Sequence, residues 1–250
     1  VTLERPLRLD VRAAWQPEIW SFSAPVQESG IENLSLRFSG EAYAGHNREQ
    51  GHYGILIRDA YNCWVRDVTI IDADRGIEIG GGYNTISAVR LRAALRLPLA
   101  TAKVFATGHY GFSVAGRRSQ DNLIENSVLQ TTFVHNLSVA SFANGNVFSG
   151  IRSAVAHLDH HGAGAYENLY TEISLSDSGQ DLFLSGGRRP DEPGGARTTL
   201  WNVTFPGSAN LGRLPQDLPG LTLVGVDGMG DVASMPGWWV ESWPGAATVP

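Results

Sequence analysis

Four of the seven histidines, His109, His135, His160 and His161, are spaced 26 and then 25 or 26 residues apart. Imidazole is the side chain whose ordinary pKa lies closest to neutrality, so it serves as general acid, general base or metal ligand. The densest group of such side chains is His157-Leu158-Asp159-His160-His161. In an extended strand alternate residues share a face, which puts His157, Asp159 and His161 on one side and Leu158 and His160 on the other. Two imidazoles and a carboxylate there suit a divalent transition metal, or Asp159 orients a histidine as base. The alternative is a stacked polar row with His160 as a hydrogen-bonded core histidine. A second group, Asp72-Ala73-Asp74-Arg75, places two carboxylates on one face of an extended segment. That arrangement fits paired-carboxylate chemistry or a Ca²⁺ site, and its ordinary counterpart is a turn.

Histidines separated by about 26 residues meet only if the chain returns to the same place with that period. The sequence contains such a period. An asparagine followed by alternating apolar residues opens Asn33-Leu34-Ser35-Leu36, Asn62-Cys63-Trp64-Val65, Asn84-Thr85-Ile86, Asn122-Leu123-Ile124, Asn146-Val147-Phe148, Asn168-Leu169-Tyr170 and Asn202-Val203-Thr204-Phe205. The shortest intervals between these asparagines are 22 and 24 residues, and longer ones read as the same unit plus an insertion. Repeats of this length signal stacked supersecondary units. The runs alternate with period two and are separated by glycine turns, which marks strands and excludes sustained helix.

These units, together with Gly54-Ile55-Leu56-Ile57, Gly76-Ile77-Glu78-Ile79 and Gly111-Phe112-Ser113-Val114, resemble the right-handed parallel β-helix of the pectate-lyase-like superfamily over roughly Gly30 to Phe205. The resemblance implies an all-β, single-stranded solenoid of about seven to nine coils with loop insertions. It forms one domain over residues 1–250, with coils at 30–226 and a cap or tail at 227–250. It also implies an asparagine ladder through Asn122, Asn146 and Asn168, the alternative being left-handed turn residues. Leu34, Ile86, Leu123, Val147 and Leu169 are expected to point inward. Trp238, Trp239 and Trp243 are expected to cap the end of the stack.

Gly108-His109-Tyr110-Gly111 resembles the Gly-His-Gly element of β-helical polygalacturonases, with Tyr110 inserted; the adjacent-Asp and Arg-x-Lys elements of that family have no match. The resemblance implies a secreted or periplasmic bacterial carbohydrate-active enzyme, although the chain carries no signal-peptide pattern. The expected reaction is cleavage of an acidic, uronate-containing polysaccharide by β-elimination. His109, His135, Asp159, His160 and His161 are the catalytic candidates, and Arg75, Tyr110, Arg117, Arg118 and Tyr166 the substrate-binding ones. Asp72 and Asp74 are the metal candidates, for a divalent cation such as Ca²⁺. A glycoside hydrolase using Asp72, Asp74 or Asp159 is the first alternative, and a non-catalytic β-helical adhesin, spike or carbohydrate-binding module the second.

A formal charge of −6 argues against nucleic acid as a partner, and no apolar run is long enough to insert in a membrane. The single cysteine, Cys63, excludes an internal disulfide and reads as a small buried hydrophobe. Val1 and Pro250 do not look like natural termini. Three intervals interrupt the repeat, at Gly40–His52, Ala93–Gly108 and Ser174–Ala196. Insertions in a stacked architecture emerge as loops that wall a binding face, and the third reads either as a mobile connection or as a lid.

Overall fold

The computed structural model describes residues 2–3, 5–95, 98–100, 105–155, 157–176, 182–183, 194–205, 218–227 and 236–241. The chain is all-β, with two long parallel sheets and, among the described residues, one short 3₁₀ turn at Ala13–Trp15 as its only helix. The first sheet has six strands in the order Val26–Gln27, Tyr53–Tyr61, Arg75–Gly82, Gly108–Ala115, Phe133–Ala140 and Leu158–His161. The second is 13-stranded and includes the series Thr85–Ser87, Leu123–Glu125, Val147–Ser149, Leu169–Thr171, Thr199–Trp201 and Thr222–Val224. Successive repeats thus return the chain to neighbouring strands, so one residue in each lies against its counterpart in the next.

The core consists of these in-register columns. Val65, Ile86, Ile124, Phe148, Tyr170, Leu200 and Leu223 are partners from strand to strand in the second sheet, and all are buried. In the first sheet Ile55, Ile77, Phe112, Leu137 and Leu158 form one column, and Ile57, Ile79, Val114, Val139 and His160 another. The recurring glycine has a steric cause: a Cβ on Gly111 would stand 2.5 Å from Asn136 O and 2.6 Å from Leu129 Cδ2. With hydrogen there instead, the strands can approach, Phe112 turns inward and Ser113 outward.

Four of the seven repeat asparagines form the expected ladder. Asn84 Nδ2 donates to Asn122 Oδ1 at 2.9 Å, Asn122 Nδ2 to Asn146 Oδ1 at 2.8 Å and Asn146 Nδ2 to Asn168 Oδ1 at 2.9 Å. Each acceptor also takes the backbone N–H of the previous asparagine, at 3.0 to 3.1 Å. All four side chains are buried, which leaves no water to replace a lost partner. Replacing Asn146 with alanine strands the Asn122 amide groups and is expected to cost on the order of 1–3 kcal/mol. An unchanged urea midpoint for Asn146→Ala would count against the ladder. Asn33, Asn62 and Asn202 instead take left-handed backbone at φ 58°, 55° and 56°, Asn62 and Asn202 at bends, the other use of the residue, and Asn33 within the strand Gly30–Arg37 at a position the pairing skips.

The ladder also fixes the phase of the apolar positions, and the inward set differs from expectation. Because Asn122, Asn146 and Asn168 themselves point inward, the next inward residue is two further on: Ile124, Phe148 and Tyr170. Leu123, Val147 and Leu169 lie on the other side and are only half-buried, while Ile86 is buried as expected. Leu34 is 37% exposed; among the described residues its strand, Gly30–Arg37, pairs with Trp64–Ile71 alone, at one end of the second sheet's pairing.

Cys63 is buried and free, as its sequence position suggests. Trp238 packs on the core and donates to Leu218 O at 3.0 Å. Trp239 stays 61% exposed on the final described strand, and Trp243 lies outside the described residues. Most of the third insertion, read as a mobile connection or a lid, also lies outside them.

Candidate functional site

The first two insertions are tied down by the two carboxylates of the Asp72–Asp74 group. Asp72 Oδ1 accepts the N–H groups of Ala94 and Leu95 at 2.7 and 3.2 Å, and Asp74 Oδ2 accepts those of Gly51 and His52 at 3.1 and 3.0 Å. A carboxylate that takes two backbone amides holds a loop. Among the described residues neither belongs to a group of three ligands close enough to share a metal, and the contacts shown for both are those of loop anchors. The anchored first insertion lies across the start of the first sheet, where Tyr43 packs on Ala106 and Val134. It delivers His46 and Glu49, which the sequence reading did not single out.

Beneath that insertion four parallel strands bring their polar side chains together. Strand register pairs Tyr110 with Arg75 on one side and with His135 on the other, and pairs Ser138 with Asp159. The His109 and His135 rings lie 5.4 Å apart, His135 and His161 5.3 Å, and His46 lies 4.4 Å from His109. Tyr110 stacks on His109 at 4.1 Å and on His135 at 5.0 Å. Arg75 lies over both Tyr53 and Tyr110 and pairs with Glu78 at 2.6 Å.

His109, His135, Asp159 and His161 are therefore one cluster, as their spacing predicts. Their strands are neighbours, but they do not occupy one register column: His161 pairs with Ala140, five residues beyond His135. His160 is excluded from the cluster. Alternation turns it inward with Leu158, where it packs on Tyr170 and Phe183 at 5.7 and 5.0 Å. Its ring nitrogens lie 3.3 Å from Leu158 O and 3.4 Å from Thr198 Oγ1, making it the core histidine of the alternative reading.

Asp159 is fully buried. It accepts the Ser138 hydroxyl at 2.7 Å and the His161 Nδ1 proton at 3.1 Å. His135 Nδ1 stands 3.3 Å away. Burial alone would raise its pKa, but the hydrogen bond from His161 and the nearby imidazoles outweigh it and hold the carboxyl below its ordinary value. Burial dominates for the two inner histidines instead. It pushes His109 down to about 3, helped by His46 and Arg75, and His135 down to about 3 despite the attraction of Asp159. Both rings are neutral near pH 7. Tyr110, raised by burial and by Asp159, keeps its phenolic proton.

No family model matches this chain, and no curated protein or solved structure matches it either.

The remaining substrate-binding candidates separate by position. Arg117 and Arg118 follow the strand Gly108–Ala115 and sit beyond its far end, with Arg118 3.3 Å from Asp59 and 4.2 Å from the centre of the Phe22 ring. With Trp20, Arg58, Glu78 and Ser113 they line a groove of about 590 Å³. Glu78 links that groove to the cluster through Arg75. Tyr166 lies elsewhere, at a turn bridged to Asn144 and Ala196, under the Arg197 guanidinium and in a different cavity with Arg5, Arg8 and Tyr83. The repeat carries Tyr166 to that turn rather than onto the first sheet, so it is removed from the cluster.

Proposed function

We propose that the two parallel sheets are walls of a right-handed parallel β-helix of the pectate-lyase-like kind. On this reading the chain is a secreted carbohydrate-active enzyme that cleaves a uronate-containing polysaccharide by β-elimination. The in-register columns and the asparagine ladder support the architecture. The chemistry rests on one observation: a half-buried His161 whose Nδ1 is held by the buried carboxylate of Asp159, beside a protonated tyrosine and an arginine. A carboxylate on Nδ1 fixes the tautomer and leaves Nε2 as the base.

In the proposed reaction His161 Nε2 removes the C5 proton of the uronate. The C5–H electrons form the C4–C5 double bond, the C4–O4 bond breaks, and the leaving oxygen takes a proton from Tyr110. The Tyr110 and His161 rings are edge-to-face neighbours with centroids 6.4 Å apart, so the proposed acid and base stand side by side on the same face of the sheet. Arg75 would neutralise the carboxylate that acidifies C5, as preorganised charge does where an anion develops. Arg58, Arg117 and Arg118 along the groove would hold further acidic residues of the chain. The hydrolase alternative has less support, because Asp72 and Asp74 each accept two backbone amides and Asp159 is fully buried, with one oxygen engaged by Ser138 and His161.

Incubation with a panel of acidic and neutral polysaccharides tests the reading. Ultraviolet absorbance of an unsaturated product and new reducing ends should rise together, on acidic polymers alone. Reducing ends without the absorbance would replace elimination by hydrolysis, and neither signal on any polymer would favour a binding or structural module.

A further inference from the structure

The two buried histidines share a feature that base catalysis by His161 leaves unused. Each turns Nδ1 towards a carboxylate: His109 towards Glu49, in close contact, and His135 towards Asp159 at 3.3 Å. Both ring nitrogens of each are buried without a hydrogen-bond partner, the Nδ1–carboxylate approaches being ion-pair contacts, and the residues are 2% and 4% exposed. A buried polar atom without a partner is costly and calls for an explanation. The carboxylate beside Nδ1 supplies one for Nε2, since histidines that bind metal through one nitrogen usually donate the other N–H to a carboxylate. A third imidazole, that of His46 on the insertion anchored by Asp74, completes the set: a ligand atom from each of His46, His109 and His135 lies within 4.8 Å of the other two.

We propose that His46, His109 and His135 bind one divalent transition-metal ion of the zinc class, with Glu49 and Asp159 as the outer carboxylates. Three imidazoles suit zinc or a neighbouring first-row metal and not Ca²⁺, which takes oxygen ligands. Nitrogens on a tetrahedral zinc stand about 3.3 Å apart, so the cluster must tighten. His46, exposed on its loop, is the member free to move inward. A three-histidine site leaves one position open for water or a substrate oxygen. The proposal goes beyond the carbohydrate reading and is tested without any substrate.

The test strips the full chain with a chelator and titrates it with Zn²⁺ against a chromophoric chelator, and separately with Co²⁺ for its ligand-field absorption. Wild type is expected to retain one equivalent and to show the tetrahedral Co²⁺ spectrum. His46→Ala, at an exposed residue, should keep the far-UV spectrum and lose affinity by at least the roughly 10–100-fold that loss of an outer partner costs; Glu49→Gln should fall within that range. His161→Ala should bind as wild type. Absence of stoichiometric binding by wild type, or unchanged affinity in His46→Ala, overturns the proposal. Loss in His161→Ala with retention in His46→Ala also overturns it, by moving the ion to the second possible group, His135, Asp159 and His161.

Discussion

Replacing His161 with glutamine is expected to lower kcat/KM on the preferred acidic polysaccharide by about 10²–10⁴-fold, the range associated with a positioned general base. The side chain is partly open to solvent and contributes little packing, and glutamine can still donate towards Asp159, so the thermal midpoint should move little. Its neighbour predicts the opposite. His160 is 1% exposed among Tyr170 and Phe183, so His160→Ala should lose stability first and keep its turnover per folded molecule. Two consecutive histidines with crossed effects, one on rate and one on unfolding, would be hard to obtain from a structural row. Activity within threefold of wild type in His161→Gln would remove His161 as the base.

The contrast between His160 and His161 was legible in the sequence, because period-two alternation requires Leu158 and His160 to face away from Asp159 and His161. The gathering of His109, His135 and Asp159 was legible for a related reason: one repeat per step places neighbouring strands about 4.8 Å apart. His46 and Glu49 were not, since they lie in an insertion without a period, and its path is set by the Asp74 carboxylate and by Tyr43 packing on Ala106 and Val134. The same contacts explain why Asp72 and Asp74 suggested a site. A carboxylate that accepts two backbone amides and one poised for chemistry are spelled alike. Asparagine is ambiguous in the same way: Asn122 and Asn146 bridge strands, while Asn62 and Asn202 supply left-handed turns.

The phase of the apolar column is where a single substitution should act most strongly on stability. Phe148 is fully buried, stacked on Tyr170 with centroids 4.8 Å apart and planes 4° from parallel, and it lies in register with Ile124 on the other side. Truncation to alanine removes a large apolar side chain from a column that backbone pairing above and below keeps from collapsing. Phe148→Ala should therefore cost about 3–5 kcal/mol. Val147, one residue earlier and half-buried on the other face, should cost less than about 1 kcal/mol on truncation, close to what substitutions outside the core cost. Urea unfolding of the two variants compares them directly. If Val147→Ala destabilised as much as Phe148→Ala, the inward asparagine would not set the phase, and the columns through Ile86, Ile124, Phe148 and Tyr170 would have to be redrawn one residue back.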